Sequence, residues 1–203
     1  MSSRPERDTR RRILHEAEDA FAERGFAGAS LSGVARTVGI GNPGLLHHFP
    51  SKSALYRAVL VDIGEDIDRR NAAALAAGND PAAQLRGLVD VLIEMYRARP
   101  TALMIVAQEF LDRTGRVTGA GTLPLRGVVR ATRSVIEAGQ ALGQVRQGDA
   151  LILTSLIHGA LLNGLLGRDV YSRMTDEPHR EHWEEDLAQA VSDTILIKPS
   201  PLG

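Results

Sequence analysis

The segment Ser30–Lys52, S-L-S-G-V-A-R-T-V-G-I-G-N-P-G-L-L-H-H-F-P-S-K, decides the fold. It predicts two short helices joined by a tight turn. Leu31, Val34, Ala35 and Val38 recur at helical spacing and form one apolar face. Ser30 stands where a hydroxyl can accept from an otherwise unpaired backbone N–H and start the first helix. Gly39 ends it, because a residue without Cβ takes positive φ at no steric cost. Ile40 turns back into the pair. Asn42 or Gly41 caps the second helix, and Pro43 takes the first helical position, where its missing N–H costs nothing. Leu45 and Phe49 face the core, Pro50 stops the helix, and Ser51 caps the next one. This is helix-turn-helix geometry, which lays its second helix in the major groove of DNA. A structural helical hairpin meets the same requirements, so the flanking sequence carries the decision.

N-terminal to this segment, Ile13, Ala17 and Phe21 recur every fourth residue, with Leu14 and Ala20 beside them. They predict a first helix from Asp8 or Thr9 to Glu23 or Arg24, broken by Gly25-Phe26-Ala27-Gly28. Arg10, Arg11 and Arg12 then fall in its first turn, where the macrodipole disfavours cations. Phosphate contact and a solvated surface run are both open readings of that cluster. Residues 1–60 carry nine basic and six acidic side chains, a net +3, and the remainder is net −4. A basic head on an acidic body suits a polyanion contact at one end.

Residues 10–60 resemble the N-terminal DNA-binding domain of TetR-type (tetracycline-repressor family) transcriptional regulators. The matching stretches are A-E-D-A-F-A-E-R-G-F (Ala17–Phe26), L-S-G-V-A-R-T-V-G-I (Leu31–Ile40), P-G-L-L-H-H-F-P-S-K (Pro43–Lys52) and A-L-Y (Ala54–Tyr56). The resemblance implies an all-α protein of about nine helices. Residues 1–52 would be a three-helix DNA-binding head, with the recognition motif at about 30–50, and residues 53–203 a helical regulatory and dimerisation domain. It makes Gly41–His48 the recognition helix. Asn42, Gly44, His47 and Thr37 would approach base edges or phosphates, flanked by Gly41, Pro43, Leu46 and His48, with Arg10 on the backbone. Lys52 and its cap Ser51 would clamp a phosphate, which agrees with the anion affinity of a helix start. The family usually has an aromatic, often Tyr, where this chain has Leu46 and again His48. Leu46 cannot donate to phosphate, so the recognition helix is poor in base-reading side chains. Adjacent His47 and His48 are expected on different helix faces.

A fourth helix from Ser51 to about Ala77 links the two domains. Asp80-Pro81 restarts the chain with a cap and an N1 proline. The fifth helix carries Leu85, Leu88, Val89, Leu92, Ile93 and Tyr96, and the sixth opens at Pro100. Thr114–Thr122 reads as a loop, Pro124–Leu142 as the seventh helix, and Asp149 as the cap of the eighth. Arg168–His179 reads as a polar connection and Glu181–Leu196 as the last helix, before a tail K-P-S-P-L-G expected to lack order. The eighth helix is apolar nearly all round and needs partners on several sides. In the resembling family this helix and the last one meet their two-fold mates as a four-helix bundle. That makes Leu153, Leu156, Ile157, Ala160, Leu161, Gly164, Trp183, Leu187 and Val191 the expected dimer interface. A core helix in a monomer is the alternative.

An effector pocket among helices four to eight would be apolar with a few placed polar groups. Its candidates are Gln108, Glu109, Arg113, His158 and Asn163, with Tyr96, Met95, Met104 and Phe110 as walls. Glu109 and Arg113 are also placed to pair on a surface, His158 to be a satisfied core histidine, and Asn163 to bond across a dimer.

The chain has no cysteine, which excludes disulfides and thiolate chemistry. No signal peptide is apparent, and Ala150–Leu166 reads as a buried or interface helix rather than a membrane span. None of the phosphate-loop, dinucleotide, nucleophile-elbow or H-E-x-x-H motifs occurs. His179 and His182, among Asp176, Glu177 and Glu181, are ordinary in a polar loop, and no metal or cofactor is assigned. The expectation is a cytoplasmic homodimeric regulator, not an enzyme, that binds a palindromic operator in double-stranded DNA and is released by a small, largely apolar effector. The alternatives are an activator, or a helical small-molecule-binding protein with weak sequence-specific DNA recognition.

Overall fold

The structure is a computed structural model that describes residues 4–111, 125–178 and 180–197. Among these residues the elements are ten helices, with an isolated antiparallel bridge pairing Val145 and Leu196. Helix α1 spans Arg4–Gly28, α2 Leu31–Val38, α3 Asn42–His48, α4 Lys52–Ala77 and α5 Pro81–Ala98. Helix α6 spans Pro100–Leu111, α7 Arg126–Ala141, α8 Ala150–Leu166, α9 Arg168–Thr175 and α10 Trp183–Ile195.

Two boundaries differ from expectation. Helix α1 begins before Asp8, because Pro5 is tolerated in a first turn whose N–H groups have no intrahelical partner. Arg10, Arg11 and Arg12 therefore lie beyond the first turn, and the macrodipole has little purchase on them. Gly25, with φ 66° and ψ 175°, breaks the helix where the Gly-Phe-Ala-Gly stretch predicted. The second difference is α9, which replaces the polar connection expected from Arg168. It buries none of its eight residues, with Val170, Tyr171 and Met174 exposed, and Asp176 ends it at φ 54°. The count is thus ten helices rather than about nine. The expected loop at Thr114–Thr122, Pro124 and the tail from Lys198 lie outside the described residues.

The chain divides into two compact units, one formed by the described residues of 1–65 and 99–125, the other by those of 66–98 and 126–203. The boundary expected at residue 52 separates the helix-turn-helix by motif. By packing, the first unit runs on to Glu65 and takes in α6, which lies against α1. Its core is Ile13, Ala17, Phe21, Val34, Leu45, Leu55 and Ile105, all buried. Phe21 and Tyr56 meet edge to face at 4.9 Å between centroids, and Phe26 and Tyr56 at 5.1 Å, a favoured aromatic geometry.

In the second unit α5 packs on α7, α8 and α10. Asp80 Oδ1 accepts from Ala83 N at 2.8 Å and starts α5 as its sequence predicted. Asp149 does the same for α8, accepting from Leu151 N and Ile152 N. Gly139 lets α7 and the following turn close tightly, since a Cβ there would stand 2.4 Å from Val145 Cγ2. No single helix among the described residues is long and apolar enough to cross a membrane.

Candidate nucleic-acid interface

The turn between α2 and α3 follows from two local choices. Ser30 Oγ accepts from Gly33 N at 3.1 Å and caps α2. Gly39 takes φ 78° and ψ 30°, and its N–H and that of Ile40 return to the carbonyls of Arg36 and Ala35 at 3.1 and 3.0 Å. This left-handed cap satisfies the end of α2 and aims the chain into α3. Gly41 is the N-cap of α3 and Asn42 its first residue, so Pro43 takes the second position.

Leu45 is fully buried and Phe49 nearly so, and they pin α3 to the core. The opposite side presents Asn42, Pro43, Gly44, Leu46 and His47 to solvent, with His48 half-buried. Gly44 has room for a Cβ, which would meet Ile40 Cβ at an ordinary contact distance of 3.9 Å. The His47 and His48 rings stand 5.6 Å apart at 66°, edge to face. His47 Nε2 lies 3.9 Å from Glu6 Oε1. No group of three or more His, Cys, Asp or Glu able to hold a metal occurs among the described residues, and His179 lies outside them. Thr37 is exposed on α2 and donates to Gly33 O at 3.2 Å. Ser51 Oγ accepts from Ala54 N at 3.1 Å and caps α4.

The cations around this surface have internal partners that sequence could not show. Lys52 Nζ donates to Ala27 O at 2.9 Å and lies 4.9 Å from the Phe26 ring centroid. It ties the end of α1 to α4, leaving two further N–H groups on its ammonium. Arg10 stacks its guanidinium 5.1 Å from the Phe49 ring. Arg12 Nη2 donates to Val38 O at 2.7 Å, placing a cation at the C-terminus of α2, where the dipole favours it. Arg57 was not among the expected DNA contacts. It is exposed and, with Arg10, lines a groove of about 340 Å³ between α1 and α4 that also holds Asp62 and Glu65. The signal for Arg57 was a lone cation in the second turn of α4, and its neighbour Arg10 is far away in sequence.

The expected pocket residues divide between the two units. On α6, Gln108 Nε2 donates to Ala22 O at 3.0 Å and Glu109 accepts from the Tyr56 hydroxyl, so both hold α6 within the first unit. Met104 and Phe110 are exposed. Arg113 lies outside the described residues. In the second unit Tyr96 is half-buried and Met95 fully buried. Asn163 donates to the Tyr171 hydroxyl at 2.9 Å. His158 is buried with its Nε2 3.1 Å from Thr132 Oγ1, and burial lowers its pKa to about 4, which keeps the ring neutral.

The expected dimer residues also divide. Leu153, Ile157, Leu161, Gly164 and Val191 are buried inside their own unit, where α8 packs on α5, α7 and α10. Gly164 sits so close to Leu187 that a Cβ would meet Leu187 Cδ2 at 2.6 Å. Trp183 donates Nε1–H to Gly164 O at 2.8 Å. These are contacts within one chain. The solvent-facing side of α8 is instead Leu151, Ile152, Leu156, Gly159 and Ala160, so only Leu156 and Ala160 of the expected α8 set lie on it. An all-apolar helix gives no phase by which sequence could tell its two sides apart.

Residues 13–59 match the family described as bacterial regulatory proteins, tetR family. Among curated relatives, the regulator RutR of Escherichia coli strain K12 is 35% identical over 99 residues, which cover 49% of this chain and 46% of RutR. The chain thus spans about half the length of the curated relatives it matches. A tetR-family regulator structure from Shewanella sp. PV-4 superposes with a TM-score of 0.71 at 19% identity, covering 94% of this chain and 99% of that one. AibR, solved in complex with isovaleryl coenzyme A and operator DNA, superposes with a TM-score of 0.72 at 18% identity, covering 92% of this chain and 97% of AibR.

Proposed function

We propose that the chain is a member of the tetR family of bacterial regulatory proteins, whose model its residues 13–59 match, and that it is a homodimeric, sequence-specific DNA-binding repressor released by a small effector. The observation that carries this reading is α3. Two buried anchors, Leu45 and Phe49, hold a short helix whose other side offers Asn42, Gly44 and His47 to a groove. Asn42 reads a base edge with its amide, Gly44 admits the backbone close to DNA, and His47 donates to bases or phosphate. The free N–H groups of Lys52, with Arg10 and Arg57, hold the phosphate backbone.

The exposed apolar side of α8 is the dimer contact, and two heads one DNA turn apart then read a palindrome. AibR was solved with isovaleryl coenzyme A and operator DNA on a similar fold, which supports a small-molecule effector for this chain. The effector acts by population shift: it binds the conformer that does not fit the operator more tightly, by several kcal/mol, and empties the site. Such a regulator works in the cytoplasm, where its operator is.

The test is a titration of the purified protein against the DNA flanking its own gene and against random DNA, at two salt concentrations. Tight, sequence-preferring binding that weakens steeply with salt is expected. Equal affinity for both DNAs, persisting after refolding to strip bound effector, favours the small-molecule-binding protein with a non-specific head. A ligand that binds tightly without changing operator affinity removes the release mechanism.

A further inference from the structure

Helix α9 has eight residues and buries none of them. Val170, Tyr171 and Met174 are 46%, 43% and 78% exposed. Met174 follows Val170 by four residues and Tyr171 by three, so the three share one side of the helix. A helix of this length is marginal by itself in water and draws its stability from packing an apolar face. The contacts that α9 makes with its own chain are polar. Arg168 donates to Glu184 Oε1 at 2.9 Å and to Arg180 O at 3.1 Å, and Ser172 donates to Glu177 O. These contacts leave Val170, Tyr171 and Met174 open.

The open side of α9 continues the open side of α8. Leu151, Ile152, Leu156, Gly159 and Ala160 form an exposed stripe at helical spacing. The stripe ends at Asn163, also exposed, whose amide donates to the Tyr171 hydroxyl at 2.9 Å. The two helices meet at a bend of 66°, so the apolar surface turns from α8 onto α9. Leu151, Ile152 and Leu156 are each between half and two-thirds exposed. Three such side chains supply well under half of the roughly 800 Å² that each partner buries in a stable interface, and the three of α9 roughly double that apolar area. Asp169 and Arg173, exposed beside them, bring one charge of each sign. An apolar patch with a mixed rim suits a second copy of the chain, which presents the same patch across a two-fold axis. An anionic lipid surface would select a basic rim.

We propose that α9 is part of the contact between two copies of this chain. The partner covers Val170, Tyr171 and Met174, and that cover keeps α9 helical. The proposal rests on the dimer contact read for the open side of α8 and extends it past Asn163 to a helix outside the four-helix bundle.

Sedimentation equilibrium of the full chain, without DNA, gives the monomer–dimer constant, and amide hydrogen exchange reads α9 in the same samples. The amides of residues 171–175 are expected to exchange slowly in the dimer and fast once the protein is diluted to monomer. Val170→Asp in the first turn and Met174→Lys in the last carry the signs that the helix dipole favours, so neither penalises α9 itself. Each should weaken dimerisation at least tenfold, because a two-fold contact holds every residue twice. Met174→Leu, which keeps an apolar side chain of similar volume, should dimerise like the parent. A dimer constant unchanged in both charged variants overturns the proposal, as do α9 amides that exchange at the same rate in dimer and monomer. Slow exchange that follows added phosphatidylglycerol vesicles and ignores protein concentration also overturns it, in favour of a lipid surface. The exchange measurement on the parent needs no variant, so the test stays decisive if one fails to fold. Leu156→Asp separates this proposal from the reading it rests on. If that variant is monomeric while Val170→Asp and Met174→Lys remain dimers, the α8 contact stands and α9 lies outside it, whereas a parent that never dimerises removes both.

Discussion

Arg99 holds both carboxylate oxygens of Glu18, with its Nε 3.0 Å from each. Thr101 Oγ1 adds a third contact to Glu18 at 2.7 Å, and Arg99 Nη2 reaches Asp62 at 2.6 Å. This places a buried carboxylate of α1 at the start of α6. The Glu18 side chain is 2% exposed, against 47% for Asp62. Removing Arg99 strands a buried charge, so Arg99→Met should cost about 3–5 kcal/mol of stability. Asp62→Asn should cost less than about 1 kcal/mol, because its carboxylate is screened by water. Urea denaturation separates the two, and pairing Arg99→Met with Glu18→Gln should recover most of the loss.

Two glycines of the head predict opposite outcomes. Gly39→Ala forces a Cβ into the left-handed region at φ 78° and should destabilise by about 1–2 kcal/mol. A Cβ at Gly44 on α3 would make only ordinary contact with Ile40, so Gly44→Ala should stabilise the head by up to about 1 kcal/mol through helix propensity. The same substitution should weaken operator binding if the DNA approaches the backbone there. Thermal melts and DNA titrations of both variants check this, and unchanged affinity in Gly44→Ala would count against the close approach.

Lys52 has a structural and a proposed electrostatic role, and one substitution reads both. Lys52→Ala removes the bond to Ala27 and the contact with Phe26, which should cost about 1 kcal/mol of stability. It should also weaken binding to all DNA about equally and flatten the salt slope. Asn42→Ala and His47→Ala should leave stability unchanged and alter sequence preference. A Lys52→Ala protein that melts early yet keeps the parent salt slope would assign Lys52 to the fold alone.

His158 sets an acid limit on the second unit. Its pKa falls from an ordinary 6.5 to about 4 in the folded state, because burial disfavours the charged ring. The unfolded chain therefore binds more protons between those values, and stability falls as pH is lowered from about 6.5 toward 4. The loss at the lower end is about 3 kcal/mol at most. His158→Gln should flatten that part of the stability profile while costing stability at neutral pH. An equally steep profile in the variant would move the acid sensitivity elsewhere.

The two sides of α8 should respond differently to substitution. Leu156 is 53% exposed and Ile157 2%. Leu156→Asp should yield a folded monomer by sedimentation, with operator affinity reduced because the second head is lost. Ile157→Ala should instead lower the unfolding free energy by about 2–5 kcal/mol. A Leu156→Asp protein that remains dimeric would displace the proposed interface from this side of α8.

Sequence was sufficient wherever the determinant is local. Ser30, Gly39, Asp80, Pro81 and Asp149 act on backbone groups within a few residues of themselves, so the helix starts and the turn of the head could be read from spacing and residue type. Periodicity placed Ile13, Ala17, Phe21, Leu45 and Phe49 in the core for the same reason. Tertiary structure alone decided what each side chain meets across the chain. Arg12 caps a helix 26 residues away, Lys52 turns inward to Ala27, and Gln108 and Glu109 serve α1 and α4. Helix α8 makes the division plainest. Its composition demanded burial on several sides, but a helix apolar all round carries no phase, and only packing against α5, α7 and α10 fixed which side stays open.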